Sequence, residues 1–229
     1  MTDHVHDLQV VREATERLLT AVARLDNAAL AEESHLPGWT RGHVLAHLSR
    51  NADALVNVLA GRPMYESADA RDKDIEQGSG RPLQEQLADL QASHDRLMAQ
   101  TAGDQDWSRT VELRGGVTDL ASNVPFRRLV EVELHHVDLN VGYGLEDLPE
   151  EFTGREIDFL ADRWSARPEV PPTALAADDG RTWRTGAAGE PAVTVTGPAA
   201  ALLAWLAGRG DKGASLTTSG GPLPALPPL

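Results

Sequence analysis

The sequence predicts a mainly helical protein with a small α/β domain at its C-terminal end. Most of residues 1–167 fall into long segments whose apolar side chains recur every three or four positions, the spacing of amphipathic helices. Beyond residue 167, Pro and Gly become frequent and short alternating apolar segments replace the long ones. We therefore predict an up-down helical bundle over residues 1–167, followed by a linker and a small α/β domain over 168–229.

The first two helices of the predicted bundle have clear helical spacing. Apolar and small side chains recur at this spacing over residues 8–29. Thr40 is placed to cap the second helix, which ends at Gly61. Residues 62–80 are polar and contain two glycines, so we interpret them as a long surface loop.

Three more helices complete the helical part. Pro82 suits the first turn of the next helix. After this helix, the broken apolar pattern over residues 104–124 predicts a loop with a short extended piece. Ser122 or Asn123 is placed to cap the helix after this loop. These helices are predicted over residues 82–103, 122 to about 142 or 144, and 149–167.

The C-terminal region alternates between short strands and one helix. Residues 182–185, 193–196 and 216–218 predict strands, and Gly197-Pro198 precedes a helix over 199–207. The region has only about 60 residues, too few to bury a stable core without help.

Composition and charge exclude several classes of function. The chain has 35 Asp and Glu against 21 Lys and Arg, a net charge of −14, which disfavours nucleic acid and anionic membranes as partners. An anionic substrate must therefore meet locally placed arginines. The absence of cysteine excludes disulfides, thiolate metal ligands and an internal thiol nucleophile. The chain has no apolar segment long enough to span a membrane, so we expect a cytoplasmic protein. We further expect a monomer or homodimer that acts on small molecules.

Two helices carry a possible metal site. Glu131 and His135 lie four residues apart, on one face of a predicted helix. Taken alone, such a pair is more often a solvated surface pair. His47, on the second helix of the same bundle, offers a third ligand. Two histidines and one glutamate suit zinc or a similar divalent ion, and three protein ligands leave one coordination position open.

Other side chains near these ligands have less direct roles. We expect His43 and His136 to point away from the ligand face, either supporting the ligands or lying exposed. Asp138 is predicted to accept a hydrogen bond from a ligand. We interpret Trp39 as packing at the start of the second helix, and Arg128 as pairing with an acidic neighbour.

Several motifs together resemble a known family. Residues 36–40, 44–48 and 128–139 resemble the DinB-like metal-binding bundles, and among these the mycothiol-dependent maleylpyruvate isomerase family. Residues 182–183 and 195–209 are similar to that family's C-terminal domain, so the resemblance covers nearly the whole chain. It implies an up-down four-helix bundle, zinc ligation by His47, Glu131 and His135, and a functional arginine at Arg209. After Arg209 the chain departs from the family pattern by inserting Gly210 to Gly221.

The resemblance also implies a reaction and a cosubstrate. Mycothiol would supply the thiolate that this cysteine-free chain lacks. Addition of the thiolate to maleylpyruvate, rotation about the former double bond and elimination would give fumarylpyruvate. For the substrate carboxylates we select Arg209 and Arg81 as candidate catalytic residues.

Two other functions remain open at this stage. The same thiolate chemistry would serve a mycothiol S-transferase that joins the thiol to an electrophile. A metal-binding or ligand-binding regulatory protein without turnover is the third interpretation. A fourth protein ligand, such as His43, would indicate a closed structural site, whereas an open coordination position beside an arginine would indicate an enzyme.

Overall fold

The computed structural model describes residues 3–165, 167–211 and 213–227. The described chain divides into two compact units, Met1–Tyr143 and Gly144–Leu229. The first unit contains α1 (His4–Val22), α2 (Arg41–Leu59), α3 (Ala68–Ser79), α4 (Leu83–Thr101), β1 (Thr110–Glu112), β2 (Thr118–Leu120) and α5 (Val124–Asp138). The second contains α6 (Glu150–Trp164), β3 (Thr173–Ala177), β4 (Thr182–Thr185), β5 (Val193–Gly197), α7 (Ala199–Leu206) and β6 (Thr217–Ser219).

Helices α1, α2, α4 and α5 form the four-helix bundle of the first unit. Helix α2 packs against both α4 and α5, and α1 packs against α5. Their apolar faces meet in a core that includes Leu18, Leu45, Leu48, Leu90 and Leu129. The predicted fold class, mainly helical with a small α/β C-terminal part, is confirmed. Within the described part of the chain, no helix has the length and hydrophobicity needed to span a membrane.

Helix α1 begins and ends earlier than the sequence predicted. Its N-cap is Asp3, whose Oδ1 accepts hydrogen bonds from the backbone N–H groups of Val5 and His6, each at 3.1 Å. The predicted start at residue 8 was wrong because the apolar pattern begins only after this polar cap. The helix stops at Val22, and a separate 3₁₀ turn covers Ala29–Ala31.

The prediction of a surface loop over residues 62–80 was also wrong, because α3 lies within it. Ser67 caps this helix and accepts a hydrogen bond from the backbone N–H of Ala70 at 3.0 Å. Only Ile75 and Gly78 are buried, so the sequence shows no apolar stripe. Close packing against α2 stabilises α3 in place of a broad apolar face.

The other bundle elements agree more closely with the sequence. Helix α2 follows Thr40, as predicted, and Pro125 lies in the first turn of α5. Helix α5 ends at Asp138, short of the predicted end, because Asn140 has a φ of +54° and turns the chain. Strands β1 and β2 pair antiparallel and form the predicted short extended piece.

The second unit is built around a four-stranded sheet of order β4-β3-β5-β6. Strands β3 and β5 are parallel, and the two outer pairs are antiparallel. The indole N–H of Trp164 donates to the Leu206 carbonyl at 3.3 Å, which joins α6 to α7. Helix α6 thus groups with the sheet, whereas the sequence assigned it to a bundle over 1–167.

Candidate metal centre

Three side chains of the first unit converge on one point. His47 comes from α2, and Glu131 and His135 come from α5. The Nε2 atom of His47 lies 2.9 Å from Glu131 Oε2, and the Nε2 atom of His135 lies 3.2 Å from the same oxygen. One ligand atom from each residue falls within 4.8 Å of the other two. The structure therefore brings together the three residues that the sequence proposed as ligands.

A buried arginine joins the two helices that carry these ligands. Arg128 lies on α5 and is only 1% exposed. Its Nη1 donates to the Leu48 carbonyl at 2.9 Å and to Asn51 Oδ1 at 2.8 Å, both on α2. Its nearest acceptors are thus a carbonyl and an amide, where the sequence suggested an acidic partner. Burial lowers the pKa of Arg128 to about 10, which leaves it charged at neutral pH.

The three ligands form a coupled set of charges. Burial alone would raise the pKa of Glu131, but hydrogen bonds to His135 and His47 hold it well below its usual value. Burial would lower the pKa of His135, yet Asp138 and Glu131 raise it above the usual value. For His47 burial prevails, and its pKa is lowered. The site therefore keeps Glu131 ionised and offers His47 as a neutral imidazole near pH 7.

The second ring nitrogens of the two histidines have different partners. His135 Nδ1 lies 2.8 Å from Oδ2 of Asp138, a fully buried carboxylate, as the sequence predicted for Asp138. His47 Nδ1 instead faces Nη2 of Arg71 at 3.3 Å. The Arg71 guanidinium also lies over the ring of Tyr65, 5.9 Å from its centroid. Sequence analysis missed Arg71 and Tyr65 because both fall in the segment interpreted as a loop.

Two other histidines lie outside the ligand group, and a tryptophan borders the site. His43 Nδ1 accepts a hydrogen bond from the Thr40 backbone N–H at 3.2 Å, and the His136 ring stacks on Tyr143 at 4.1 Å. Neither belongs to the metal-ligand group found among the described residues. The Trp39 ring lies 5.5 Å from that of His47, so it borders the site instead of only packing at the helix start.

The donor set fits a divalent ion of the zinc type. It supplies two imidazole nitrogens and one carboxylate, without thiolates, and three protein ligands leave one position open. The contact between His135 and Asp138 is the arrangement found behind many metal-binding histidines, because it directs the other ring nitrogen toward the ion. His47, Glu131 and His135 are therefore the residues that would hold the metal.

Known proteins resemble this chain over nearly its full length. Residues 11–140 match the mycothiol maleylpyruvate isomerase N-terminal domain, and residues 147–228 match the C-terminal domain of the same family. The chain belongs to the mycothiol maleylpyruvate isomerase family. A crystal structure of the mycothiol-dependent maleylpyruvate isomerase matches with a TM-score of 0.89 and 28% identity, over 99% of this chain and 97% of that one. A histidine-to-alanine mutant of that enzyme matches equally well. No curated protein matched the chain.

In this member of the mycothiol maleylpyruvate isomerase family, each of the two arginines selected from the sequence contacts a nearby acceptor oxygen. Arg81 forms an ion pair with Asp89, in which Nη1 lies 3.0 Å from Oδ2. Arg209 follows α7 in the second unit, and its Nη1 donates to the Ala207 carbonyl at 3.0 Å. The segment inserted after Arg209 contains β6, which pairs with β5 as the edge strand of the sheet.

Proposed function

We propose that this chain is a zinc-dependent enzyme that uses mycothiol to isomerise maleylpyruvate-type unsaturated keto acids to their fumarylpyruvate-type isomers. The convergence of His47, Glu131 and His135 supports the proposal most directly. Three protein ligands are typical of catalytic zinc sites, whereas structural zinc sites use four. The family match over both parts of the chain supports the choice of reaction.

The chemistry explains why the protein needs a thiol from solution. A cis double bond can rotate only after its double-bond character is lost, and reversible addition of a thiolate achieves this. The chain has no cysteine to supply that thiolate. When bound at the three ligands, a divalent ion lowers the pKa of a thiol in its open coordination position, which favours the thiolate at neutral pH.

The chain's own residues orient the site and shape its surroundings. Asp138 fixes the orientation of the His135 ring through the hydrogen bond to Nδ1. The Trp39 ring brings apolar surface close to the ring of His47. We also propose Arg209 and, in second place, Arg81 as groups that bind substrate carboxylates, because guanidinium forks match carboxylate geometry.

The test is an assay with the whole, zinc-loaded protein. Maleylpyruvate is incubated with and without mycothiol, and the products are identified by nuclear magnetic resonance. We expect conversion to fumarylpyruvate only when both zinc and mycothiol are present. His47→Ala should lose bound zinc and activity together, because it removes one of three ligands. His35→Ala, a change at an exposed histidine, is the matched control and should keep both.

Each other outcome points to a different function. A stable thioether between mycothiol and the electrophile would identify an S-transferase. Turnover at the same rate without any thiol would exclude the thiolate route. Unchanged maleylpyruvate and mycothiol, with zinc fully bound, would favour a binding protein without turnover.

A further inference from the structure

Arg71 occupies a special position beside the metal ligands. It lies in α3, which packs against α2, and its side chain is only 12% exposed. One guanidinium nitrogen, Nη2, lies 3.3 Å from Nδ1 of His47. The guanidinium also contacts the face of Tyr65, whose pKa is raised by burial and by the nearby charge of Glu131. Arg71 therefore places a cation at the edge of the site.

The contact between Arg71 and His47 is incompatible with a metal on the other ring nitrogen. An arginine can only donate hydrogen bonds, so His47 Nδ1 must accept one here. The proton of the neutral ring is then on Nε2, which faces Glu131. A histidine that binds a metal through Nε2 carries its proton on Nδ1, where it would face another donor. A metal held at Nε2 would therefore end this hydrogen bond and free Nη2 for another acceptor.

Besides His47 and Tyr65, the guanidinium contacts Asp72, which holds it only weakly. Arg71 Nη1 lies 2.6 Å from Oδ1 of Asp72, but the Asp72 side chain is 64% exposed. Ion pairs at the surface contribute little because water and salt screen them. In a chain with a net charge of −14, a cation next to the metal is the kind of group that an anionic electrophile requires.

We propose that Arg71 binds a carboxylate of the unsaturated substrate beside the metal, and that His47 Nδ1 holds its guanidinium in place until the metal binds. The chemical class of the ligand is an α,β-unsaturated carboxylate, bound through the guanidinium fork. Tyr65 positions the guanidinium from its face. The identity of this anion rests on the proposed function.

Direct binding tests this role without any turnover. Maleate, a stable cis dicarboxylate, is titrated by calorimetry into the zinc-loaded protein, and its neutral diamide serves as a probe of similar shape. We expect Arg71→Gln to weaken maleate binding by ~10-fold or more and to leave diamide binding unchanged. Lys73→Gln removes the same charge from an exposed position on the same helix and should match the wild type. Arg71→Lys should recover only part of the affinity.

Metal dependence provides the second measurement. In the zinc-free protein we expect Arg71→Gln to change maleate affinity much less than in the loaded protein, because His47 then engages the guanidinium. Zinc affinity, measured by chelator competition, should be equal or higher in Arg71→Gln, since no hydrogen bond to His47 must be broken.

Two results would overturn the proposal. The first is equal maleate affinity in the zinc-loaded wild type and Arg71→Gln proteins. The second is a parallel loss of zinc and maleate affinity, which would show that Arg71 only supports His47. If the wild type binds maleate as expected but does not isomerise maleylpyruvate, the proposed function fails and the carboxylate site stands.

Discussion

The two histidines of the centre are held by groups of opposite charge. The second ring nitrogen of His135 meets the buried carboxylate of Asp138, whereas that of His47 meets a guanidinium. The Asp138 carboxylate accepts a hydrogen bond from Nδ1 of His135, so this ring already directs Nε2 toward the point where a metal would bind. His47 can carry its proton on Nδ1 only when Arg71 moves away from that nitrogen. The structure thus assigns the orienting role to Asp138 and the exchangeable contact to Arg71.

Replacement of Asp138 by asparagine tests the orienting role. Asp138→Asn keeps the shape and an acceptor oxygen but removes the negative charge at 2.8 Å from His135 Nδ1. We expect zinc affinity to fall by ~10–100-fold, the range typical for partners of metal ligands. Chelator competition measures this affinity, with Asp95→Asn as a control because Asp95 is an exposed residue on α4. Unchanged zinc affinity in Asp138→Asn would contradict the role.

The ligands could be predicted from single residues, but the cation beside them could not. Helical periodicity placed Glu131 and His135 on one face of a helix, with His47 on a second helix, and the family resemblance singled out these three residues as ligands. Arg71 depends on α3, where polar side chains surround two buried residues, Ile75 and Gly78. Such a helix is stabilised by packing that no local pattern encodes.

At the scale of elements, the contact between α2 and α3 determines where Arg71 lies. Gly78 is a point of close approach, since a Cβ atom added there would lie 2.8 Å from the Cβ of Ala46. Ala46 is the residue before His47, so a steric contact at Ala46 would displace the backbone next to a proposed ligand. The absence of a side chain at Gly78 therefore permits the close packing of the two helices.

Gly78→Ala tests this close approach. The extra methyl group must push α3 away from α2, and overpacking of this kind costs about 1–3 kcal/mol, which outweighs the better helix propensity of alanine. We expect a lower free energy of unfolding in urea, and weaker maleate binding because Arg71 shifts with α3. Gly80→Ala is the matched control, because its added Cβ meets nothing within 4 Å. Equal stability of the two variants would show that the helices separate without cost.

At the scale of the whole molecule, the sequence predicted the architecture better than its boundaries. Long amphipathic segments identified the bundle, and short alternating ones identified β4 and β5. Strand β3 was not predicted, because Leu175 is its only large apolar residue and two prolines precede it. The grouping of α6 with the sheet depends on long-range packing, such as the contact of Trp164 with Leu206, which the local pattern does not contain.

The stability of the molecule should depend on pH through a buried histidine of α4. His94 lies on α4, is 6% exposed, and its Nδ1 has no hydrogen-bond partner among the described residues. Burial and the nearby charge of Arg128 lower its pKa to about 4. The unfolded chain protonates this histidine near its ordinary value of about 6.5. Between these two values the unfolded state binds more protons, so acid favours unfolding.

Between pH 6.5 and pH 4, the free energy of unfolding of the wild type should therefore fall more than that of a variant with a neutral side chain at position 94. The difference between a pKa of about 6.5 in the unfolded chain and about 4 in the folded protein corresponds to about 3 kcal/mol of stability. This stability is fully present above pH 6.5 and is lost as the pH falls toward 4. Urea unfolding, followed by helical circular dichroism with a chelator present, is compared between wild type and His94→Gln. We expect the wild-type free energy of unfolding to fall by about 3 kcal/mol more over this interval. His35→Gln, a change at an exposed histidine, should follow the wild type. Identical pH profiles for His94→Gln and the wild type would contradict the prediction, because they would show that His94 is protonated as readily in the folded bundle as in the unfolded chain.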